Sequence, residues 1–359
     1  MNRLKSAFLL LAVMALGAGN ATAQYFTTYA KATNPGQQRG IYYALPRTVI
    51  QLDFVIEETE LLEGPYSEFV NMIGAEDYIL EDGKEYRLID VRMATYAEAD
   101  PNATFFVEMS PKKSDVTEFY LNQKGILQGV GIAPTPAAVA ISDNSPLTPQ
   151  LLPPTAQDRT FKYQYGAKGM KTQEQMARAA AEMITKIREE KMKLLTGFQE
   201  TAFILDTYRQ MYADLDQMES DYLSLFIGKR IVNTVVKTVY VTPSKEVTSQ
   251  TIAKFSTDNG FNAGVAGSGD VITLQAISLK TTGNINEPSP SAVETISHEN
   301  KLFYRIPETA NIKVTMGSKV LLEQRETIAQ YGVFMLAPLG KTKLALDPNT
   351  GQITSMGME

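Results

Sequence analysis

The sequence of 359 residues contains no cysteine, no tryptophan and only one histidine, His298. The absence of cysteine excludes disulfide bonds, thiol nucleophiles and cysteine metal sites. A single histidine also excludes zinc sites that combine several imidazoles, so no transition-metal cofactor is expected. A Ser–His–acid relay would depend on His298, which lies beside a proline-rich loop without a nucleophile-elbow motif. We therefore predict no catalytic residue, no cofactor-binding residue and no metal ligand, and interpret His298 as an ordinary loop residue.

The sequence also has no excess of positive charge. It contains 34 Lys and Arg residues and 40 Asp and Glu residues, which gives a formal net charge of −6. This balance argues against a nucleic-acid partner, whose phosphates require a basic surface, and against tight binding to an anionic membrane. Two acidic clusters offer oxygen ligands of the kind that calcium takes, but neither has the loop spacing of an EF-hand. We interpret them as solvated surface and leave calcium open. The clusters comprise Glu57, Glu58 and Glu60, and Glu76, Asp77, Glu81, Asp82 and Glu85.

Beyond the N-terminus, no apolar run is long enough to span a membrane. Residues 2–5 form a basic start, residues 7–18 are apolar, and Ala21-Thr22-Ala23 places small residues where a signal peptidase reads them. The pattern predicts a signal peptide at residues 1–23, cleaved before Gln24; a retained amphipathic anchor is the alternative. We expect an exported chain in the periplasm or associated with the outer membrane, without a transmembrane segment in the mature chain.

The one long stretch of helical periodicity lies at residues 172–228. Thr172 and Gln175 have the spacing of a capping box, which predicts where the first helix begins. Two apolar stripes with steps of mostly three and four residues predict two antiparallel helices whose stripes face each other or share a sheet surface. The stripes are Met176, Ala180, Met183, Ile187 and Leu194, then Met211, Leu215, Met218, Tyr222 and Leu225.

Strand patterns flank this helical stretch on both sides. Ile50, Leu52, Phe54 and Ile56 alternate with mostly polar residues, and residues 231–241 are rich in Val, Thr and Tyr. Six prolines in residues 133–154 indicate an extended linker. We predict an α+β fold in which a central antiparallel helical hairpin lies between two β-rich, sandwich-like domains. The predicted segments are an N-terminal β-rich domain at 24–132, a proline-rich linker at 133–165, the hairpin at 166–228 and a C-terminal β-rich domain at 229–359.

Three further features suggest ligand or partner binding but have simpler interpretations. Glycines at 260, 264, 267 and 269 resemble a phosphate cradle, yet no helix follows them, so a hairpin connection is favoured. Seventeen tyrosines could replace tryptophan as sugar platforms, but Tyr86 and Tyr240 fall in strand patterns that favour sheet packing. The methionines of the helical stripes could form an adaptable groove for a partner helix, although core filling is favoured.

Several short stretches spread over nearly the whole mature chain carry a family resemblance. They are Tyr43-Ala44-Leu45-Pro46-Arg47-Thr48, Gly64-Pro65-Tyr66, Ile187-Arg188-Glu189, Leu194-Leu195-Thr196-Gly197, Tyr222-Leu223-Ser224-Leu225-Phe226-Ile227-Gly228, Tyr304-Arg305-Ile306-Pro307 and the turn at residues 347–351. With these stretches the chain resembles an uncharacterised family of secreted proteins from Gram-negative, Bacteroidetes-type bacteria, known as a domain of unknown function. The resemblance implies export in a cell with two membranes, and it implies no activity and no site residues.

These observations favour an exported cell-envelope interaction or structural module without catalytic activity, acting through an envelope protein partner. The alternatives are a carboxylate-dependent glycan hydrolase and a glycan- or peptide-binding protein; the oligomeric state stays open. Two facing carboxylates within about 10 Å in a pocket would favour the hydrolase. An exposed tyrosine platform would favour glycan binding, and a flat apolar patch would favour a protein partner.

Overall fold

The computed structural model describes residues 25–32, 39–109, 117–134, 155, 158–161, 172–196, 205–244, 246–283, 285 and 298–358. The predicted signal peptide and most of the predicted proline-rich linker lie outside these described residues. Two α-helices occur within them, α1 (Gln173–Thr196) and α2 (Leu205–Ile227), with short 3-10 helices at Ala30–Ala32 and Ser67–Met72. Among the described residues, neither helix is both long and apolar enough to cross a membrane.

Fourteen strands make up most of the described chain. They are β1 (Tyr25–Tyr29), β2 (Gly40–Leu62), β3 (Gly83–Met109), β4 (Phe119–Leu121), β5 (Leu127–Val130), β6 (Lys229–Val241), β7 (Val247–Ser256), β8 (Gly260–Ala263), β9 (Asp270–Ser278), β10 (His298–Glu299), β11 (Lys301–Met316), β12 (Lys319–Pro338), β13 (Thr342–Leu346) and β14 (Ile353–Met358).

The strands form three antiparallel sheets, two of which combine strands that are distant in sequence. Sheet 1 has the order β10–β1–β3–β2–β6, sheet 2 has the order β12–β11–β9–β7–β8, and sheet 3 has the order β14–β13–β5–β4. β6 pairs along β2, and β13 pairs with β5. Strands that are far apart in the sequence therefore complete sheets 1 and 3, whereas all strands of sheet 2 lie between Val247 and Pro338.

The predicted α+β class, with two β-rich domains around a central helical hairpin, is wrong. Of the described residues, about 56% lie in strands and about 20% in helices, so the fold is mostly β. The helices do not separate two sheets of their own; they pack on the 3-10 helix at Ser67–Met72, which connects β2 to β3. The periodicity of a strand reports which of its faces is buried but not which distant strand it pairs with, and this is where the prediction failed.

The main core lies between sheets 1 and 2. The alternation predicted along β2 is confirmed, because Ile50, Leu52, Phe54 and Ile56 are all buried in this core. They pack against side chains of sheet 2 from β7, β9, β11 and β12. A second core joins one end of sheet 1 to sheet 3 and to β11 of sheet 2, through Tyr25, Tyr43, Phe105, Leu127, Val130, Phe303 and Leu344.

The two helices form a third core with the 3-10 helix at Ser67–Met72. Thr172 caps α1 as predicted, since its hydroxyl accepts a hydrogen bond from the Gln175 N–H at 3.2 Å. The buried stripe of α1 differs from the predicted stripe at two positions. Met176 and Met183 are only half-buried, and the next residues, Ala177 and Ile184, are buried instead. The members of the buried stripe, at steps of three and four, are Ala177, Ala180, Ile184, Ile187, Lys191 and Leu194.

A glycine fixes the passage from α2 into β6. Gly228 has a φ of +81°, and a Cβ there would lie 2.3 Å from the Leu62 carbonyl oxygen. Only glycine adopts this left-handed conformation at such close approach without strain. The chain therefore leaves the helix and immediately enters the sheet beside β2, which positions β6 at the edge of sheet 1.

Candidate functional site

His298 lies on β10, where its ring packs edge-on against Phe303 at 5.0 Å between centroids. Its Nε2 is buried and has no hydrogen-bond partner within the described residues. Burial, together with the charge of Lys301, lowers the pKa of His298, so the ring is neutral at physiological pH. In the described part of the chain, no serine hydroxyl or carboxylate reaches this ring, and the geometry gives no support to a catalytic relay.

Four of the eight carboxylates in the two acidic clusters pair with four different cations. No group of three or more Asp, Glu or His within the described residues is placed to hold a metal ion. The pairs are Glu57 with Arg87 at 2.9 Å, Glu58 with Lys84 at 2.6 Å, Glu60 with Arg159 at 2.8 Å and Asp77 with Arg230 at 2.8 Å.

A groove of about 990 Å³ lies between the end of α2 and the start of β6. Its walls carry several carboxylates, which makes it the place to look for a hydrolase. Asp216 and Glu219 lie close together, because the Lys191 ammonium donates to Asp216 at 2.7 Å and to Glu219 at 2.6 Å. Arg188 donates to Glu219 as well, at 2.6 Å.

Glu219 is not suited to be the proton donor that glycoside hydrolysis requires. Burial alone would raise the pKa of Glu219, but hydrogen bonds from Lys191 and Arg188 outweigh it and lower that pKa. The pKa of Asp158, on the same groove, is lowered by hydrogen bonds from Thr155. A catalytic acid of this class needs a raised pKa, and the pKa values of Glu219 and Asp158 are lowered. Asp216 and Glu219 of α2 instead form an ion-pair cluster with Arg188 and Lys191 of α1.

Three of the stretches that carry the family resemblance meet at one buried junction. The Tyr43 hydroxyl accepts from the Phe303 N–H at 3.0 Å, and Arg305 Nη1 donates to the Pro46 carbonyl at 2.5 Å. Arg305 Nη2 donates to Asp100 at 3.0 Å, and its guanidinium lies 4.8 Å from the Phe334 ring centroid. The side chains of Arg305 and Asp100 are only 3% and 9% exposed. A ligand cannot reach them, so the junction is structural.

The turn at residues 347–351 closes this junction. Its Gly351 has a φ of +75° and accepts a hydrogen bond from the Arg305 N–H at 3.0 Å. A Cβ at this glycine would lie 2.9 Å from the Pro46 ring. A second junction joins Gly64-Pro65-Tyr66 to the end of α2, where the Tyr66 N–H donates to the Leu225 carbonyl at 2.8 Å. The resemblance therefore rests on contacts that hold the fold together.

Sheet 1 ends at β6, and in the described part of the chain no strand pairs with the second edge of β6. The register with β2 is continuous over all thirteen residues, from Val241 opposite Ile50 to Lys229 opposite Leu62. The strand carries three basic residues and no acidic one. Composition predicts a strand here, but its edge position depends on tertiary pairing that the local sequence does not encode.

The outer face of sheet 1 exposes two tyrosines that lie together. Tyr240 on β6 is 60% exposed and Tyr96 on β3 is 37% exposed. Their rings meet edge to face, with centroids 6.2 Å apart and planes at 80°. The prediction that strand tyrosines are packing residues is confirmed for Tyr86, which packs against the main core, but is wrong for Tyr240.

Comparison with protein families places these observations in a wider set of sequences. The model of the DUF4831 family, described as a domain of unknown function, matches residues 39–354. Comparison with curated proteins gave no match, and comparison with solved structures gave none either. The family match spans every strand from β2 to β13 and both helices, including the two junctions described above. The chain therefore belongs to the DUF4831 family.

Proposed function

We propose that this chain is a non-catalytic interaction module, exported to the cell envelope, that binds a protein partner by strand addition to the edge of β6. The observation that carries the proposal is the free thirteen-residue edge of β6 within the described structure. An edge strand presents a row of N–H and C=O groups that a partner strand satisfies by extending the sheet. The basic and apolar start at residues 1–18 and the small residues at 21–23 support export.

The edge of β6 is regular enough to template a partner. β6 has no proline or glycine, and no shift interrupts its register with β2. By contrast, β12 at the edge of sheet 2 is already engaged, since the Ala329 N–H donates to the Thr48 hydroxyl and Gln330 bonds to Thr48 and Pro243. β12 also has two register shifts against its neighbour β11. Of the two long edges, β6 is therefore the one suited to strand addition.

The charge of β6 selects the partner. Lys229 is occupied by the carbonyls of Asp158 and Thr160, and Arg230 by Asp77, but Lys237 has no ion-pair partner within the described residues. Lys237 lies opposite Phe54 and lines a cavity of about 180 Å³ between sheet 1 and β8. An inward-facing lysine discourages pairing with an apolar strand. A second copy of β6 would also add like charge, so the partner segment is an extended, acidic one.

Fluorescence polarisation tests this proposal with two labelled peptides that share an alternating Val/Thr strand pattern. One peptide carries Glu at the remaining positions and the other carries Lys. We expect the Glu peptide to bind, and Lys237→Glu to weaken that binding about tenfold, or about 1.4 kcal/mol, while improving binding of the Lys peptide. The reason is that the substitution replaces an attraction across the interface with a repulsion.

The matched control is Lys319→Glu, the same charge reversal on the other long edge strand, β12. It should leave binding of the Glu peptide within about twofold, because that edge takes no part. The proposal is contradicted if neither peptide binds at about 1 mM, if both bind equally, or if Lys319→Glu has the same effect as Lys237→Glu.

A further inference from the structure

We infer that the outer face of sheet 1 carries a binding site for a neutral oligosaccharide, centred on the rings of Tyr96 and Tyr240. This site is independent of strand addition, because Lys237 faces the opposite side of the sheet. Tyrosine side chains offer a flat apolar ring, a polar tip and few rotatable bonds, which suits them to contact surfaces.

The tyrosine pair is held in place by its surroundings. Tyr96 lies opposite Val49 in the strand register, so its cross-strand neighbour is a buried apolar residue. The Lys124 ammonium lies 5.6 Å from the centroid of the Tyr96 ring and donates to the Ala97 carbonyl at 2.8 Å. Three hydrogen-bonded strands, β3, β2 and β6, carry the surface. The platform is therefore formed before any ligand arrives, which lowers the entropy cost of binding.

A polar rim lies beside the rings. The strand register places Gln51 next to Tyr240, and Asp53 next to Thr238. Gln51 Nε2 donates to both carboxylate oxygens of Asp53, at 3.2 and 3.0 Å, and the Thr238 hydroxyl donates to Asp53 at 2.6 Å. These bonds orient the carboxylate of Asp53, which can still accept further hydrogen bonds. Gln51 Oε1 and Thr238 Oγ1 also have lone pairs that can accept hydrogen bonds. Neighbouring hydroxyls of a sugar would donate to such oriented acceptors.

The charges around the rings indicate that the ligand is neutral. On the same face, Arg47 pairs with Glu98 at 3.1 Å, one step along the strands from Tyr96. Lys124 and Asp53 add one charge of each sign, and so does the ion pair of Arg92, which lies opposite Asp53, with Asp90. The three positive and three negative side chains leave the surface around the rings without net charge. An acidic polysaccharide or a charged peptide gains no net Coulomb attraction here. A pyranose ring presents an apolar C–H face to the tyrosines and hydroxyls to the rim, which matches both parts of the surface.

Titration calorimetry on the full-length exported protein tests this inference, with cello-, malto-, xylo-, β-1,3-gluco- and chito-oligosaccharides as neutral probes and polygalacturonate as the acidic probe. We expect at least one neutral probe to bind and polygalacturonate not to bind. Tyr240→Ala should weaken that binding at least about tenfold, whereas Tyr240→Phe, which keeps the ring, should stay within a few fold. Lys237→Glu should leave it unchanged.

The matched control is Tyr42→Ala, because Tyr42 is 40% exposed on the same sheet and packs against Phe106 with centroids 4.6 Å apart. It removes an exposed tyrosine without touching the Tyr96 and Tyr240 pair, and thermal unfolding checks that each variant is folded. The inference is overturned if no neutral probe binds at about 10 mM, if Tyr240→Ala binds as the parent does, or if polygalacturonate is the ligand that Tyr240→Ala loses.

Discussion

Replacing Asp100 with alanine should destabilise the protein more than any surface charge change, because Asp100 is the carboxylate partner of a buried guanidinium. Its Oδ2 accepts from Arg305 at 3.0 Å and its Oδ1 accepts from the Asn102 N–H at 2.9 Å. Without Asp100, Arg305 stays buried at 3% exposure beside an empty position. Removing one partner of a buried ion pair costs about 3–5 kcal/mol, since an uncompensated charge is left in a medium of low dielectric constant.

Urea unfolding followed by far-UV circular dichroism measures this loss, and the absence of tryptophan leaves tyrosine fluorescence as a second probe. With a slope of about 1–3 kcal/mol per molar urea, the midpoint should fall by at least about 1 M. The control is Asp90→Ala, which removes an exposed ion pair. The side chain of Asp90 is 48% exposed and that of its partner Arg92 is 45% exposed. That change should cost no more than about 1 kcal/mol. The reasoning is refuted if the two variants unfold at the same urea concentration.

Three further predictions concern titration and packing. Glu308 accepts hydrogen bonds from the backbone and hydroxyls of Thr281 and Thr282, which outweigh burial and lower its pKa to about 2; Glu308→Gln should cost about 1–3 kcal/mol in urea unfolding at pH 7. The pKa of Glu308 in the folded protein lies below the unfolded value of about 4.3, so its contribution to the free energy of unfolding is complete above pH 4.3 and is lost towards pH 2. The difference in the free energy of unfolding between parent and variant should therefore shrink towards pH 2. Burial lowers the pKa of His298, so its contribution is complete above about pH 6.5 and falls as the pH drops below that value; His298→Leu should flatten the slope of stability between pH 7.5 and 5.5. Ile184→Ala should cost about 2–5 kcal/mol by thermal unfolding, whereas the exposed Glu190→Ala should stay within about 0.5 kcal/mol; equal losses would show that the face of α1 is misassigned.

Local patterns in the sequence were sufficient to predict those features of the structure that depend only on neighbouring residues in the chain. Ile50, Leu52 and Phe54 could be placed in the core because side chains of a strand alternate between its two faces. The start of α1 at Thr172 could be placed because the cap is made within four residues. The same reasoning placed Ala180, Ile187 and Leu194 correctly but chose Met176 and Met183 where the neighbouring Ala177 and Ile184 are buried, because the spacing of three and four residues fits either choice.

Long-range pairing could not be predicted, and the candidate sites depend on it. β6 lies at an edge because its partner is β2, nearly two hundred residues earlier, as the pairing of Tyr240 with Gln51 illustrates. Tyr240 is exposed for the same reason. Lys191 is buried because Asp216 and Glu219 reach it from α2, and Arg305 is buried because Asp100 reaches it from β3. In each case a charged or aromatic residue takes its role from a distant partner, which composition and spacing do not reveal.

The central claim, strand addition at β6, is tested most directly by amide hydrogen exchange measured residue by residue, without and with the Glu-containing strand peptide. In the free protein, the β6 amides that point away from β2 should exchange quickly, while the alternate amides bonded to β2 are protected. With the peptide, protection should appear at the β6 amides that point away from β2, and nowhere on β12. The claim is contradicted if the outward amides of β6 are already protected in the free protein, or if the peptide protects another strand.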